Sequence, residues 1–161
     1  MLREKLSSYR AGIEAEFEAI SAEDHPPHDI AASFALGVFI TSLPTLGTGL
    51  LLFLVIAYLF ERVSKIALFA SVLVLNPVAK WGVYAASFWL GTVLLGSVPG
   101  ATRSEVSFSA GPEIVTRLLV GNLILAVVFT VVGYLLALRL VQEYRRRDIE
   151  VTELLPEQLS D

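Results

Sequence analysis

Four basic residues stand in or beside long apolar runs: Arg62, Lys80, Arg117 and Arg139. An ionised side chain in hydrocarbon is costly, so each either snorkels to a headgroup layer or marks a site. Guanidinium and ammonium groups suit phosphate, which makes Arg62, Lys80 and Arg117 candidates for meeting a lipid phosphate. No buried acidic pair accompanies them, which argues against a proton relay or a carboxylate ion site. The uncharged polar residues of the same runs include Thr41, Ser42, Thr45, Thr48, Ser71, Ser87, Thr92 and Thr130. Most of these are expected to make helix-to-helix or local backbone bonds. Asn76 and Asn122 stand apart, because an amide in an apolar setting has four hydrogen-bonding sites to satisfy.

Other chemistries find little support. His25 and His28, with Glu23, Asp24 or Asp29 nearby, could offer metal ligands, but a proline-rich exposed linker accounts better for the stretch HPPHD. No serine is paired with a neighbouring histidine, and no glycine loop precedes a basic phosphate reader. The chain has no cysteine, which excludes disulfides, thiolate metal sites and a cysteine nucleophile. The expectation is therefore a protein that is not an enzyme, with a membrane-embedded enzyme as the third alternative, and one without metal or cofactor. Nucleic acid is not an expected partner, since no basic stripe with interleaved aromatics exists to neutralise phosphates.

The elements that would position these residues follow from hydropathy. Of 161 residues, 55% are hydrophobic, above the roughly 45–50% of soluble domains. Leu2, Leu6, Tyr9, Ile13, Phe17 and Ile20 recur at helical spacing, with Glu14, Glu16 and Glu18 on the other face. This predicts an amphipathic helix over residues 1–24, on the cytoplasmic side and packed on the protein itself or on a partner. Residues 1–29 carry three basic and seven acidic residues, unlike a secretory signal, so this end is expected to stay on the mature protein. The prolines of HPPHD end the helix, and Asp29 is the expected N-cap of the next.

A membrane domain is expected over residues 25–141. Residues 30–60 contain no charge, and as one helix would reach about 46 Å, too long for a hydrocarbon core of about 30 Å. The run is broken at residues 44–49, PTLGTG, as a kinked or re-entrant helix. Further segments are expected at 62–75, 77–98 and 113–141. Asn76 before Pro77 is a strong helix start, with Lys80 and Trp81 in its first turn, where a snorkelling ammonium and an interfacial indole belong. Residues 99–112, rich in Ser, Gly and Pro, read as an external loop. Arg145, Arg146 and Arg147 then place the C-terminal tail, 142–161, in the cytoplasm as a loosely ordered segment. The preferred topology has four crossings, with 30–60 crossing once and both ends inside. Small residues four apart, Ala31 with Ala35, Ser87 with Gly91 and Gly133 with Ala137, suit close helix packing.

Two apolar segments broken by proline, PTLGTG and Asn76 with Pro77, are a sequence pointer to a transport site. The candidate pathway is thus Pro44, Gly47, Thr48, Arg62, Asn76, Pro77 and Lys80. These same residues carry a resemblance. Residues 30–47, IAASFALGVFITSLPTLG, then Arg62, Asn76 with Pro77, and FWLG at 88–91 resemble, in order, the family called domain of unknown function twenty sixty-two, small prokaryotic membrane proteins. The resemblance covers residues 27–96 and implies membrane location without an established activity. Ser64 stands where the family often has Asn, and Ala79 where Thr is common.

The expectation is an all-α polytopic membrane protein, multi-pass in a prokaryotic plasma membrane, with broken or re-entrant helices and an N-terminal amphipathic helix. A small transporter or lipid-handling protein is the leading function. Its expected partners are membrane lipids, including an anionic lipid or lipid phosphate. The alternative is a non-catalytic scaffold whose first helix recruits a cytoplasmic protein, with a homo-oligomer as a further partner.

Overall fold

Proline and glycine punctuate the chain, and the computed structural model describes residues 1–22, 24–99 and 111–154, with side chains at 1–15, 24–99 and 111–150. The described residues form six helices and no strand: α1 (Leu2–Ala22), α2 (Pro27–Ser42), α3 (Gly49–Leu59), α4 (Lys65–Val74), α5 (Pro77–Leu95) and α6 (Gly111–Leu154). α5 and α6 are long and apolar enough to cross a membrane.

The start of α2 corrects the expected cap. Pro26 occupies the N-cap position and Pro27 the first turn, where a missing N–H and a fixed φ cost nothing. Asp29 therefore lies inside the first turn instead of ahead of it. α2 stops at Ser42 because Pro44 holds Leu43 extended (φ -70°, ψ 149°). The chain then reverses through Leu46 (φ 50°) and Gly47 (φ 93°), the second a conformation that suits glycine.

The single kinked crossing expected over 30–60 is replaced by a helical hairpin. His25 Nε2, just before α2, donates to the Glu61 carbonyl, just after α3, at 3.3 Å. Ile40 of α2 and Phe53 of α3 share a buried cluster with Leu68 of α4. The two arms are about 24 and 17 Å long, both short of a hydrocarbon core of about 30 Å.

Two helix ends also differ from expectation. α5 stops at Leu95, not near residue 98, as the chain turns at Gly96 (φ 82°). α6 runs on past residue 141 to Leu154, so residues 142–154 are helical. No proline or glycine interrupts them, and Glu143 pairs with Arg147 and Arg146 with Glu150 one turn apart. The external loop falls largely on 100–110, and the end of the tail on 155–161, both outside the described residues.

α6 is the spine, with α2 and α5 both running antiparallel along it. Ile30 packs near Val141, and Ser42 meets Asn122 farther up. α5 approaches α6 through Ser87, Gly91 and Gly121. A Cβ at Gly121 would fall on the Ser87 carbonyl, and one at Gly91 on the Arg117 carbonyl, so the two backbones touch and neither position tolerates a side chain. α4 packs on α2 with equal intimacy, since a Cβ at Gly37 would strike the Leu68 carbonyl and Ser71. α1 lies across α4 and touches α6.

Candidate functional site

Three polar constellations and one cavity result. The first is at the tip of the α2–α3 hairpin. α2 ends there, leaving carbonyls without an intrahelical donor. Asn122, 1% exposed on α6, donates its Nδ2 to the Ser42 carbonyl at 3.0 Å and to Ser87 Oγ at 3.3 Å. Ser87 Oγ in turn donates to the Val83 carbonyl at 2.7 Å. One amide thus ties three helices together near the midpoint of α5, and its buried Oδ1 has no partner.

The second constellation is the Asn76–Pro77 break. Asn76 Oδ1 accepts from Ala79 N at 2.9 Å and caps α5. Pro77 has no N–H to offer the Leu73 carbonyl one turn back. Tyr9 of α1 supplies the missing donor: its hydroxyl donates to the Leu73 carbonyl and accepts from Asn76 Nδ2 at 3.2 Å. The break is therefore the latch on which α1 is seated.

The third surrounds Arg117, which is 4% exposed. Its Nε donates to the Gly96 carbonyl at 2.8 Å, and its NH2 group to the Ser97 and Leu95 carbonyls at 3.2 and 3.5 Å. Its NH1 group pairs with the Glu113 carboxylate one turn away. These bonds satisfy the carbonyl end of α5, where a cation is also favoured by the helix dipole. Arg117 is thus committed to the protein and is removed from the candidates for a lipid phosphate. Glu113 at i−4 was the signal in the sequence that could have revealed this role.

The remaining sequence candidates are dispersed. Pro44 is half-buried in the hairpin turn and Gly47 is exposed. The Thr48 hydroxyl is consumed locally by the Thr45 carbonyl at 2.7 Å. Arg62 is exposed in the α3–α4 connection. Ser64 caps α4 by accepting from Ala67 N at 3.1 Å, and its own N–H donates to Ser33 Oγ. Asn would cap equally well there. Lys80 is half-buried in the first turn of α5. The two proline breaks hold different partners, Asn122 at one and Tyr9 at the other.

Sequence reasoning missed the cavity. It measures about 330 Å³ and lies between α1, α2, α4, α5 and α6. Ile13 closes it from α1. Ile30, Phe34 and Val38 line it from α2, Ala67, Ala70 and residues 73–75 from α4, Val83 from α5, and Phe129, Gly133, Ala137 and Val141 from α6. None of the described lining residues is charged or carries a polar side chain. Among the described residues no group of three or more His, Asp or Glu could hold a metal.

With this geometry in view, the comparison with known families is informative. Residues 16–150 match the family described as uncharacterized protein conserved in bacteria (DUF2062). The chain belongs to this family. The match takes in the hairpin, both proline breaks, Asn122 and Arg117, whereas Tyr9 of the second constellation precedes it. No curated protein and no solved structure matches the chain.

Proposed function

We propose that this DUF2062 member is an integral membrane protein that holds the hydrocarbon chain of a membrane lipid between its helices. The observation that carries the reading is the apolar cavity of about 330 Å³, within the range of small-molecule sites. Its described walls are apolar side chains, which favours a hydrocarbon chain over a transported ion or sugar.

The membrane setting is supported by what faces outward. Only 17% of the residues in the apolar windows of α5 and α6 are buried, whereas a soluble protein hides such helices in its core. α5 spans about 29 Å, close to the hydrocarbon thickness. Lys80 and Trp81 stand at one end of it and the Arg117 clamp at the other. In this frame the hairpin tip lies at mid-depth beside Ser87, where Asn122 satisfies the Ser42 carbonyl. The basic residues 145–147 orient the C-terminus toward the cytoplasm.

The test is lipid retention. The full chain extracted in mild detergent should carry bound lipid in native mass spectrometry, and Ala137→Phe, which fills the cavity from α6, should release it. Equal retention by both proteins would contradict the reading. A scaffold role for α1 is the second reading, favoured by Leu2 and Leu6, which remain 79% and 60% exposed. It requires that L2S/L6S abolish cross-linking to a cytoplasmic protein while leaving lipid retention intact.

A further inference from the structure

A lipid chain entering the cavity from the bilayer exchanges one hydrocarbon surrounding for another. Burying a methylene from water is favourable, but that driving force is absent between lipid and an apolar protein wall. Preference for one lipid over its neighbours must therefore come from the headgroup. Resting on the lipid-binding reading above, we infer that Lys80 and Asn76 form a headgroup site for an anionic phospholipid at the mouth of the cavity.

The placement follows from the chain. Residues 73–75 and Val83 line the cavity, and Asn76 and Lys80 fall between them. Positions 76, 80 and 83 share one helical stripe, and Lys80 N donates to the Asn76 carbonyl at 2.9 Å, so the three stack from the break toward the cavity wall. Lys80 is half-buried, yet no carboxylate among the described residues pairs with it. A partly desolvated ammonium attracts a phosphate oxygen more strongly than a fully hydrated one. Asn76 Nδ2 has two N–H groups and gives one to Tyr9, which leaves the other for a second oxygen. Arg139 makes the natural control. It lies on another face of α6, beside Gln142, Glu143 and Arg146, and does not line the cavity.

The experiment places the full chain in nanodiscs of phosphatidylcholine with a minority of phosphatidylglycerol and weighs the lipids that remain bound after release. The wild type is expected to retain phosphatidylglycerol several-fold above its share of the disc. Lys80→Gln should return the bound lipid to the bulk ratio, Lys80→Arg should keep the enrichment, and Arg139→Gln should leave it unchanged. Helix content by circular dichroism confirms that each variant is folded. Enrichment that survives in Lys80→Gln, or that is lost in Arg139→Gln instead, overturns the headgroup site. Bound lipid at the bulk ratio in the wild type overturns it too, while leaving the lipid-binding reading standing. Absence of bound lipid from the wild type would remove that reading and the headgroup site with it.

Discussion

The two sides of α6 are built on opposite plans. Toward α5 the helices meet backbone to backbone at Gly91 and Gly121, and the end of α5 is locked by a buried arginine that bonds the carbonyls of Leu95, Gly96 and Ser97. Toward α1 and α4 the same helix faces an open apolar cavity. There the Tyr9 hydroxyl of α1 bonds the Asn76–Pro77 break. The contrast separates frame from site: the α5–α6 pair has no room for a ligand, and the space on the other side is bounded by apolar side chains and by the latch between α1 and the Asn76–Pro77 break. Stability and occupancy should thus respond to different substitutions.

The largest effect is expected at the frame. Gly121→Val places a branched side chain against backbone atoms that cannot yield. Such overpacking costs about 1–3 kcal/mol or more, and here it should separate α5 from α6. Thermal unfolding in detergent should show a large drop in midpoint, while Gly133→Ala, where the nearest neighbours are 3.5 Å away and belong to side chains, should change it little. Equal behaviour of the two would erase the distinction between the two sides.

Arg117→Gln comes next. It keeps some polarity but leaves carbonyls at the end of α5 without donors, at a cost of about 2–3 kcal/mol. Hydrogen exchange should quicken at residues 92–96 and leave α1 as in the wild type. Protection at 92–96 equal to the wild type would mean that the clamp is ornamental.

Tyr9→Phe is the mildest. It removes the donor to the Leu73 carbonyl, for about 1 kcal/mol, and should expose α1 to limited proteolysis with α5 and α6 still protected. If α1 stays as resistant as before, the latch at Asn76–Pro77 is not what seats it.

Much of this frame could be read from residue types. The Asn76–Pro77 start, the break at Pro44 and the pairing of Ser87 with Gly91 are local signals, because capping, a missing N–H and small-residue spacing act within one or two turns. The Asp29 cap misled for a local reason as well: two prolines ahead of it occupy the helix start more cheaply than a side-chain cap. What the sequence did not disclose is tertiary. Tyr9 finds Leu73 and Asn76 across more than sixty residues, and nothing in its spacing distinguishes it from the other apolar positions of α1. Arg117 resembled a lone cation in hydrocarbon because the carbonyls it serves belong to another helix. The cavity is a space between five helices, and hydropathy records only that its walls are apolar.

The account depends above all on lipid covering the outward faces of α5 and α6. The two native tryptophans of α5 report on this directly: Trp81 and Trp89 are 76% and 65% exposed and lie about 12 Å apart along the helix. Single-tryptophan variants in vesicles should be quenched by bromine at different depths, Trp81 by bromine near the headgroups and Trp89 by bromine deep in the chains. Fluorescence from both that iodide in the aqueous phase quenches fully, with no effect of brominated lipid at any depth, would contradict the account.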